Sequence, residues 1–232
     1  MGCCETRPQN ETKPLESRFT FLEEEENFDF ILKYGSSFTD IKAKEIEIYV
    51  GSLLNSSNWT THIENQEHTL KTKVGSMFNE SSPVSMIVLD LNYSVALHKV
   101  LNLIFSPESR LEWDLTLEFM ELLKKPENVV RIIKKYPFKP LELVLKVNCI
   151  KEKNTAVALY YSEEYEFIDS NVQRSQCYFG MVKIMKTKNS TVVILIQQED
   201  FDKGAGCERA NLMASELFQW MLVFKKKLSE RI

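Results

Sequence analysis

The first six residues, Met1-Gly-Cys-Cys-Glu-Thr6, have the types and spacing needed for a covalent modification. Removal of Met1 exposes the α-amine of Gly2, and Thr6 stands where the N-myristoylation pattern M-G-x-x-x-[ST] needs a hydroxyl. One myristoyl chain binds a bilayer only marginally, with an association constant of about 10⁴ M⁻¹. A second anchor is therefore expected, and Cys3 and Cys4 are adjacent thiols of the kind that S-palmitoylation uses. A polybasic patch is a poor substitute here, because Arg7, Lys13 and Arg18 are diluted by Glu5, Glu11 and Glu16. Residues 1–18, with Pro8 and Pro14 among polar neighbours, read as an acylated flexible tether. Coil statistics give its last dozen or so residues a span of about 20 Å, which keeps the folded body near the bilayer.

Other reactive arrangements are sparse. His62, His68 and His98 share no H-E-x-x-H or comparable spacing, so no metal is expected. Asp200-x-Asp202-x-Gly204 resembles the start of a calcium loop, but Ala205 and Asn211 replace the glycine and bidentate glutamate that the ion needs. The sequence contains no G-x-S-x-G, Walker A or G-x-G-x-x-G pattern, so no cofactor and no enzymatic activity are expected. A Cys–His dyad stays open at this point, because its partners need not be close in sequence.

Composition narrows the setting. The chain has 232 residues, 44% hydrophobic and 27% charged, enough for one large folded domain. A net charge of −4 offers nucleic acid no general attraction. No apolar run nears the roughly 18 residues that span a bilayer, and the N-terminus lacks a secretory core. The expected location is the cytoplasmic face of a membrane, with Cys149, Cys177 and Cys207 reduced. The sequons at Asn10, Asn55, Asn58, Asn79, Asn92 and Asn189 are then unmodified. A monomer is expected.

Periodicity supplies the frame. A short helix is read within residues 19–35, and Asp40 caps a second helix through Leu54. Three strands follow, at 59–65, 68–78 and 84–91, and then a helix at 93–105. Six alternating runs come next, at 116–123, 129–136, 141–150, 155–162, 177–186 and 191–198. The chain ends in a helix over about 207–229, where Met213, Leu217, Met221, Phe224 and Leu228 form an apolar stripe. Hairpin-length links imply a mainly antiparallel sheet, so the class is α+β.

Two motifs in register with these elements carry a family resemblance. Ser106-Pro-Glu-Ser-Arg-Leu-Glu-Trp-Asp114 resembles the helix-to-strand junction of StAR-related lipid-transfer (START) domains, whose strand opens on Trp-Asp. Gln197-Gln-Glu-Asp200-Phe-Asp-Lys-Gly204 is similar to the family's acidic strand end and glycine loop before the last helix. The resemblance covers roughly residues 40–232, within a START-like domain over 19–232. It implies a helix-grip fold, a curved antiparallel sheet wrapped round the long C-terminal helix, with a cavity for a single lipid. On that basis Trp113, Leu143, Leu145, Phe179, Met181, Met213, Leu217, Met221 and Phe224 are the expected lining. The same apolar side chains also describe a plainly packed core. A START-like scaffold with a filled cavity, recruiting protein partners at the membrane, is the second reading. Many members carry an Arg-Asp pair soon after the strand equivalent to 129–136; here Pro137-Phe-Lys-Pro-Leu-Glu142 stands there, with Glu142 in place of the acid and no arginine, so sterol specificity is not implied.

Overall fold

The computed structural model describes residues 34–136, 139–165, 171–200 and 206–230, with the side chains of 206–212 left aside. The tether, Gly2, Cys3 and Cys4, most of the 19–35 helix and the glycine loop at 201–205 lie outside the described residues. The elements are β1 (Tyr34–Gly35), α1 (Ile41–Leu54), β2 (Thr60–Glu64), β3 (His68–Val74) and β4 (Pro83–Leu91). Then come α2 (Leu97–Phe105), α3 (Pro107–Leu111), β5 (Leu117–Leu123), β6 (Val129–Lys134) and β7 (Leu141–Lys151). The rest are β8 (Thr155–Ser162), β9 (Gln173–Arg174), β10 (Gln176–Lys186), β11 (Thr191–Asp200) and α4 (Gly206–Glu230).

One sheet runs in the order β2-β3-β4-β11-β10-β8-β7-β6-β5, antiparallel along that path, with β1 and β9 added in parallel to β7. The sheet is curved, and an ion pair makes the curvature visible. Lys134 Nζ on β6 lies 2.5 Å from Glu199 Oε2 on β11. Those strands are four places apart in the order. In a flat sheet they would be separated by about 19 Å, at roughly 4.8 Å per strand.

Strand alternation divides the side chains between two faces. Leu143, Leu145, Ile132, Val182 and Leu195 meet α4 and α2 in one buried cluster on the concave face. Met86, Leu159, Phe179, Met181 and Ile196 meet α1 in a second cluster on the convex face. The helix α1 forms because Asp40 Oδ1 accepts the Ala43 N–H at 2.9 Å, and its inner face of Ala43, Ile46, Val50 and Leu53 follows helical spacing.

Three readings of the sequence change at element ends. The strand expected to reach 78 stops at Val74, because Gly75 takes a φ of 75° that turns the chain. The helix at 93–105 begins only at Leu97, since the Val95 N–H is taken by Thr191 Oγ1 at 2.8 Å. Tyr34–Gly35, placed in the first helix by pattern, forms a short strand beside β7 instead.

A second glycine sets the concave surface. Gly180 is paired in register with Tyr160 on one side and Gln197 on the other. With no side chain at Gly180, the Tyr160 ring lies across it and its hydroxyl reaches Gln197 Oε1 at 3.1 Å. A Cβ at Gly180 would sit 2.0 Å from Tyr160 Cζ. Gly180→Ala is therefore expected to cost about 1–3 kcal/mol in denaturant unfolding. Adding Tyr160→Ala should make the Gly180→Ala change nearly neutral in that background, and independent, additive losses would contradict the assignment.

Candidate functional site

The junction of α3, β5 and α4 is built around one buried carboxylate. Asp114 closes the turn after α3 and is 2% exposed. Its Oδ1 accepts the Thr116 N–H at 3.2 Å and the Thr116 hydroxyl at 2.5 Å. Its Oδ2 accepts from Arg110 Nε and from Trp220 Nε1, each at 3.0 Å. Burial pushes the Asp114 carboxyl up, but Arg110 and these hydrogen bonds outweigh it and hold it below the usual carboxylate range.

The neighbouring Trp113 completes the clasp on α4. Its Nε1 donates to Leu103 O at 3.0 Å, and its ring lies 5.3 Å from Trp220 and 5.4 Å from Phe224. Trp220 and Phe224 stack at 5.0 Å. Trp113 and Phe224 thus anchor the C-terminal half of α4 to the α3–β5 junction. Of the residues expected to line a cavity, Leu143, Leu145 and Met221 are buried in this same cluster, Leu217 packs against it partly buried, and Met213 is buried.

Phe179 and Met181 are not there. They lie on the convex face, where Phe179 meets Tyr49 at 5.5 Å and Phe78 at 5.3 Å. The cause is a β-bulge: Cys177 pairs with Glu199 and Phe179 with Gln198, so Tyr178 is an extra residue and the faces exchange. Val182 and Ile184 take the concave positions. Beside the Phe179 group, a shallow groove of about 340 Å³ is lined by Tyr49, residues 73–77 and Glu80.

The concave face also carries polar groups that the sequence reading did not pick out. Lys134 shares a face with Val130 and Ile132, and Glu199 with Val193 and Leu195, so their ion pair bridges the concave side. Near it, Tyr160 bonds Gln197, and both sit on the same face. Period-two parity was the available signal, since each charge lies an even number of residues from apolar neighbours. The pairing itself joins positions 65 residues apart. Glu142, which lacked an arginine in sequence, acquires two in space: Arg131 Nε at 2.6 Å and Arg174 at 3.0 Å. This trio belongs to the opposite face from Leu143.

The concave face is chemically apolar, with a few paired polar groups. Burial pushes the Cys149 thiol up to about 12 and Cys177 well above its ordinary value, which suppresses the nucleophilic thiolate at either position. Among the described residues no group of His, Cys, Asp or Glu is placed to hold a metal ion. No described helix is long and apolar enough to cross a membrane.

Solved structures share this architecture. Human STARD10 superposes with a TM-score of 0.71 at 11% identity, over 84% of this chain and 81% of that chain. The fold is START-like. Human StAR-related lipid transfer protein 5 matches at 0.63 and 13% identity, over 83% of this chain and 97% of that one. The lipid transfer and protein localization domain of human StarD13 (DLC2) matches at 0.57 and 11%, over 83% and 96%. No protein-family model and no curated protein matches the sequence. At these identities the START likeness is one of fold, and the expected helix-grip arrangement is present.

The Asp114 clasp predicts a pH signature. A carboxyl with a lowered folded-state pKa stabilises the protein above its unfolded pKa of about 3.9, and the contribution fades as pH falls through the folded value. Asp114→Asn should destabilise the protein by about 3 kcal/mol at pH 7, because Arg110 then loses its buried partner. In urea unfolding the gap between wild type and variant should narrow below pH 4 or so. A gap that is constant down to pH 3 or below would show that the ionised carboxylate is not what holds the clasp.

Proposed function

We propose that this chain binds a single lipid between its concave sheet face and α4, and that acyl groups at Gly2 and at Cys3 and Cys4 hold it on the cytoplasmic face of a membrane. One observation carries the lipid reading: a wide apolar sheet face is wrapped against one long helix, in a fold shared with structures whose names include lipid transfer. Physical chemistry agrees with it. An acyl tail gains roughly 0.8 kcal/mol per CH₂ on leaving water, much the same in such a site as in a bilayer. Tail exchange is then close to neutral, and the polar end of the guest decides preference. Lys134–Glu199 and Tyr160–Gln197 are the groups on this face able to meet a headgroup. Permanent acylation suits local sensing, or transfer to a closely apposed membrane, better than long-distance transport.

A second reading has its own support. Trp113, Trp220 and Phe224 fill the space beneath the C-terminal half of α4, as a scaffold with a closed interior would require. Native mass spectrometry after incubation with mixed-lipid vesicles separates the two. One lipid per chain is expected, and a clean apo mass at every lipid tested would favour the filled scaffold. Leu217→Trp, which adds bulk on the helix face turned toward the cluster, should reduce uptake by at least about fivefold with little change in unfolding midpoint. Lower stability with unaltered uptake would make Leu217 ordinary core.

The anchors are tested separately. Gly2→Ala should release the protein from the membrane pellet, and Cys3→Ser with Cys4→Ser should weaken association without abolishing it. Full retention of Gly2→Ala in the pellet would sink the myristoyl reading.

A further inference from the structure

We infer that the end of the sheet bearing the β5–β6, β7–β8 and β10–β11 turns is a docking surface for an anionic lipid bilayer. In the antiparallel order these three turns fall at one end. Backbone hydrogen bonds hold them to their neighbours: Lys186 N–H donates to Asn154 O at 2.8 Å, and Val147 N–H donates to Asn128 O at 2.8 Å. The turns contain Lys124, Lys125, Lys151, Lys153, Lys186 and Lys188, against Glu127 and Glu152. All of these lysines are exposed except Lys186, which is half-buried. The whole chain carries 33 acids and 29 bases, so this local excess of positive charge opposes the overall sign. Besides Glu127 and Glu152, acids at the same end sit on the far half of the sheet, where Glu64 and Glu67 are paired with Lys71 and Lys225, and Asp90 lies beside them.

The proposed acyl anchors give the reason to choose a bilayer as the occupant, and β1 lies at the same end of the sheet. One edge of β7 at Cys149 and Ile150 is taken by β8, through Ala158 and Val157. Tyr34 and Gly35 pair with the same two residues, so β1 occupies the opposite edge, on the side of β6. It lies past the start of β6, where Val129 pairs with Lys146. Tyr34 and Gly35 therefore lie between the β5–β6 and β7–β8 turns, and β1, parallel to β7, runs toward this end of the sheet. Basic side chains gain most from an anionic surface within a Debye length, about 10 Å at 0.1 M salt.

The inference shares its membrane with the anchor reading, yet it does not need the acyl groups, and the experiment uses that difference. Unacylated full-length protein would be sedimented with vesicles of phosphatidylcholine alone, or with about 30% phosphatidylserine, a charge density typical of a cytoplasmic leaflet. Binding is expected only to the anionic vesicles, and should be lost at about 0.5 M NaCl, where screening is strong. Reversal of Lys124, Lys125, Lys153 and Lys188 to Glu should weaken binding by at least about tenfold. Lys44→Glu with Lys135→Glu, exposed elsewhere, should change it by no more than about threefold, the effect of net charge alone. If the fourfold variant unfolds, Lys124→Gln with Lys125→Gln still gives a measurable loss. Equal binding after rim reversal, equal binding to neutral vesicles, or binding to single-stranded nucleic acid with none to vesicles would each overturn the assignment. Loss of Gly2→Ala from the cell pellet with intact vesicle binding supports both readings, and retention of Gly2→Ala with intact vesicle binding removes only the anchor.

Discussion

The buried carboxylate of Asp114 is the constraint on which the rest of the structure depends. A carboxylate at 2% exposure would be costly on its own, so it persists only because every oxygen is engaged. The groups that engage it come from three places: Arg110 in α3, Thr116 before β5, and Trp220 in α4. Satisfying one side chain therefore fixes the angle of α3, the start of β5 and the seat of α4 together. Trp113 adds dispersion and ring contacts to the same joint, with its N–H satisfied by Leu103 O. Once the C-terminal half of α4 is seated, its Met221, Phe224 and Leu228 complete the concave cluster, and the sheet has a helix to curl around.

Curvature then brings together groups that sequence distance hides. Lys134 and Glu199 meet across the trough, and Tyr160 reaches over Gly180 to Gln197. These pairs are mutually satisfied, so the concave face holds polar groups without orphaned charge. On the convex face the Glu142 carboxylate is held by Arg131 and Arg174, which ties the two-residue strand β9 to the body of the sheet. Buried charge in this protein is thus used as stitching between strands.

What the sequence disclosed follows from how local each signal is. The Trp113-Asp114 junction, the apolar stripe of α4 and the Asp40 cap were legible because each lies within a few residues and has its own periodicity or hydrogen-bonding rule. Alternation over Leu141–Val147 implied one buried face, the START resemblance turned Leu143 and Leu145 toward α4, and β7 contains no bulge before them to break the pattern. Phe179 and Met181 were expected beside them from the START resemblance and fell on the other face, because Tyr178 adds one residue and no pattern in the strand announces it. The strands β1 and β9 were invisible since two residues carry no period. The Glu142 arginines were missed because both come from other strands, and only the fold makes them neighbours.

Antiparallel topology also turns a pattern along the chain into a separation in space. Successive connections in such a sheet alternate between its two ends, so lysines confined to alternate turns gather at one end. The β5–β6, β7–β8 and β10–β11 turns obey this, whereas the connection from β6 to β7 returns at the opposite end with Lys134–Glu199 beneath it. Each lysine turn is short and its backbone is bonded across or to a neighbour, as when Glu152 N–H donates to Thr155 O at 2.8 Å. Repulsion among these lysines is tolerable there because all but the half-buried Lys186 are exposed in high dielectric and screened, with Glu127 and Glu152 among them. On the concave face a lysine sits beside a carboxylate, as Lys134 does beside Glu199. Solvent thus accepts at the sheet's end a concentration of charge that its interior admits only in pairs, and one end of the domain is left electrostatically distinct without any cost to the core that α4 closes.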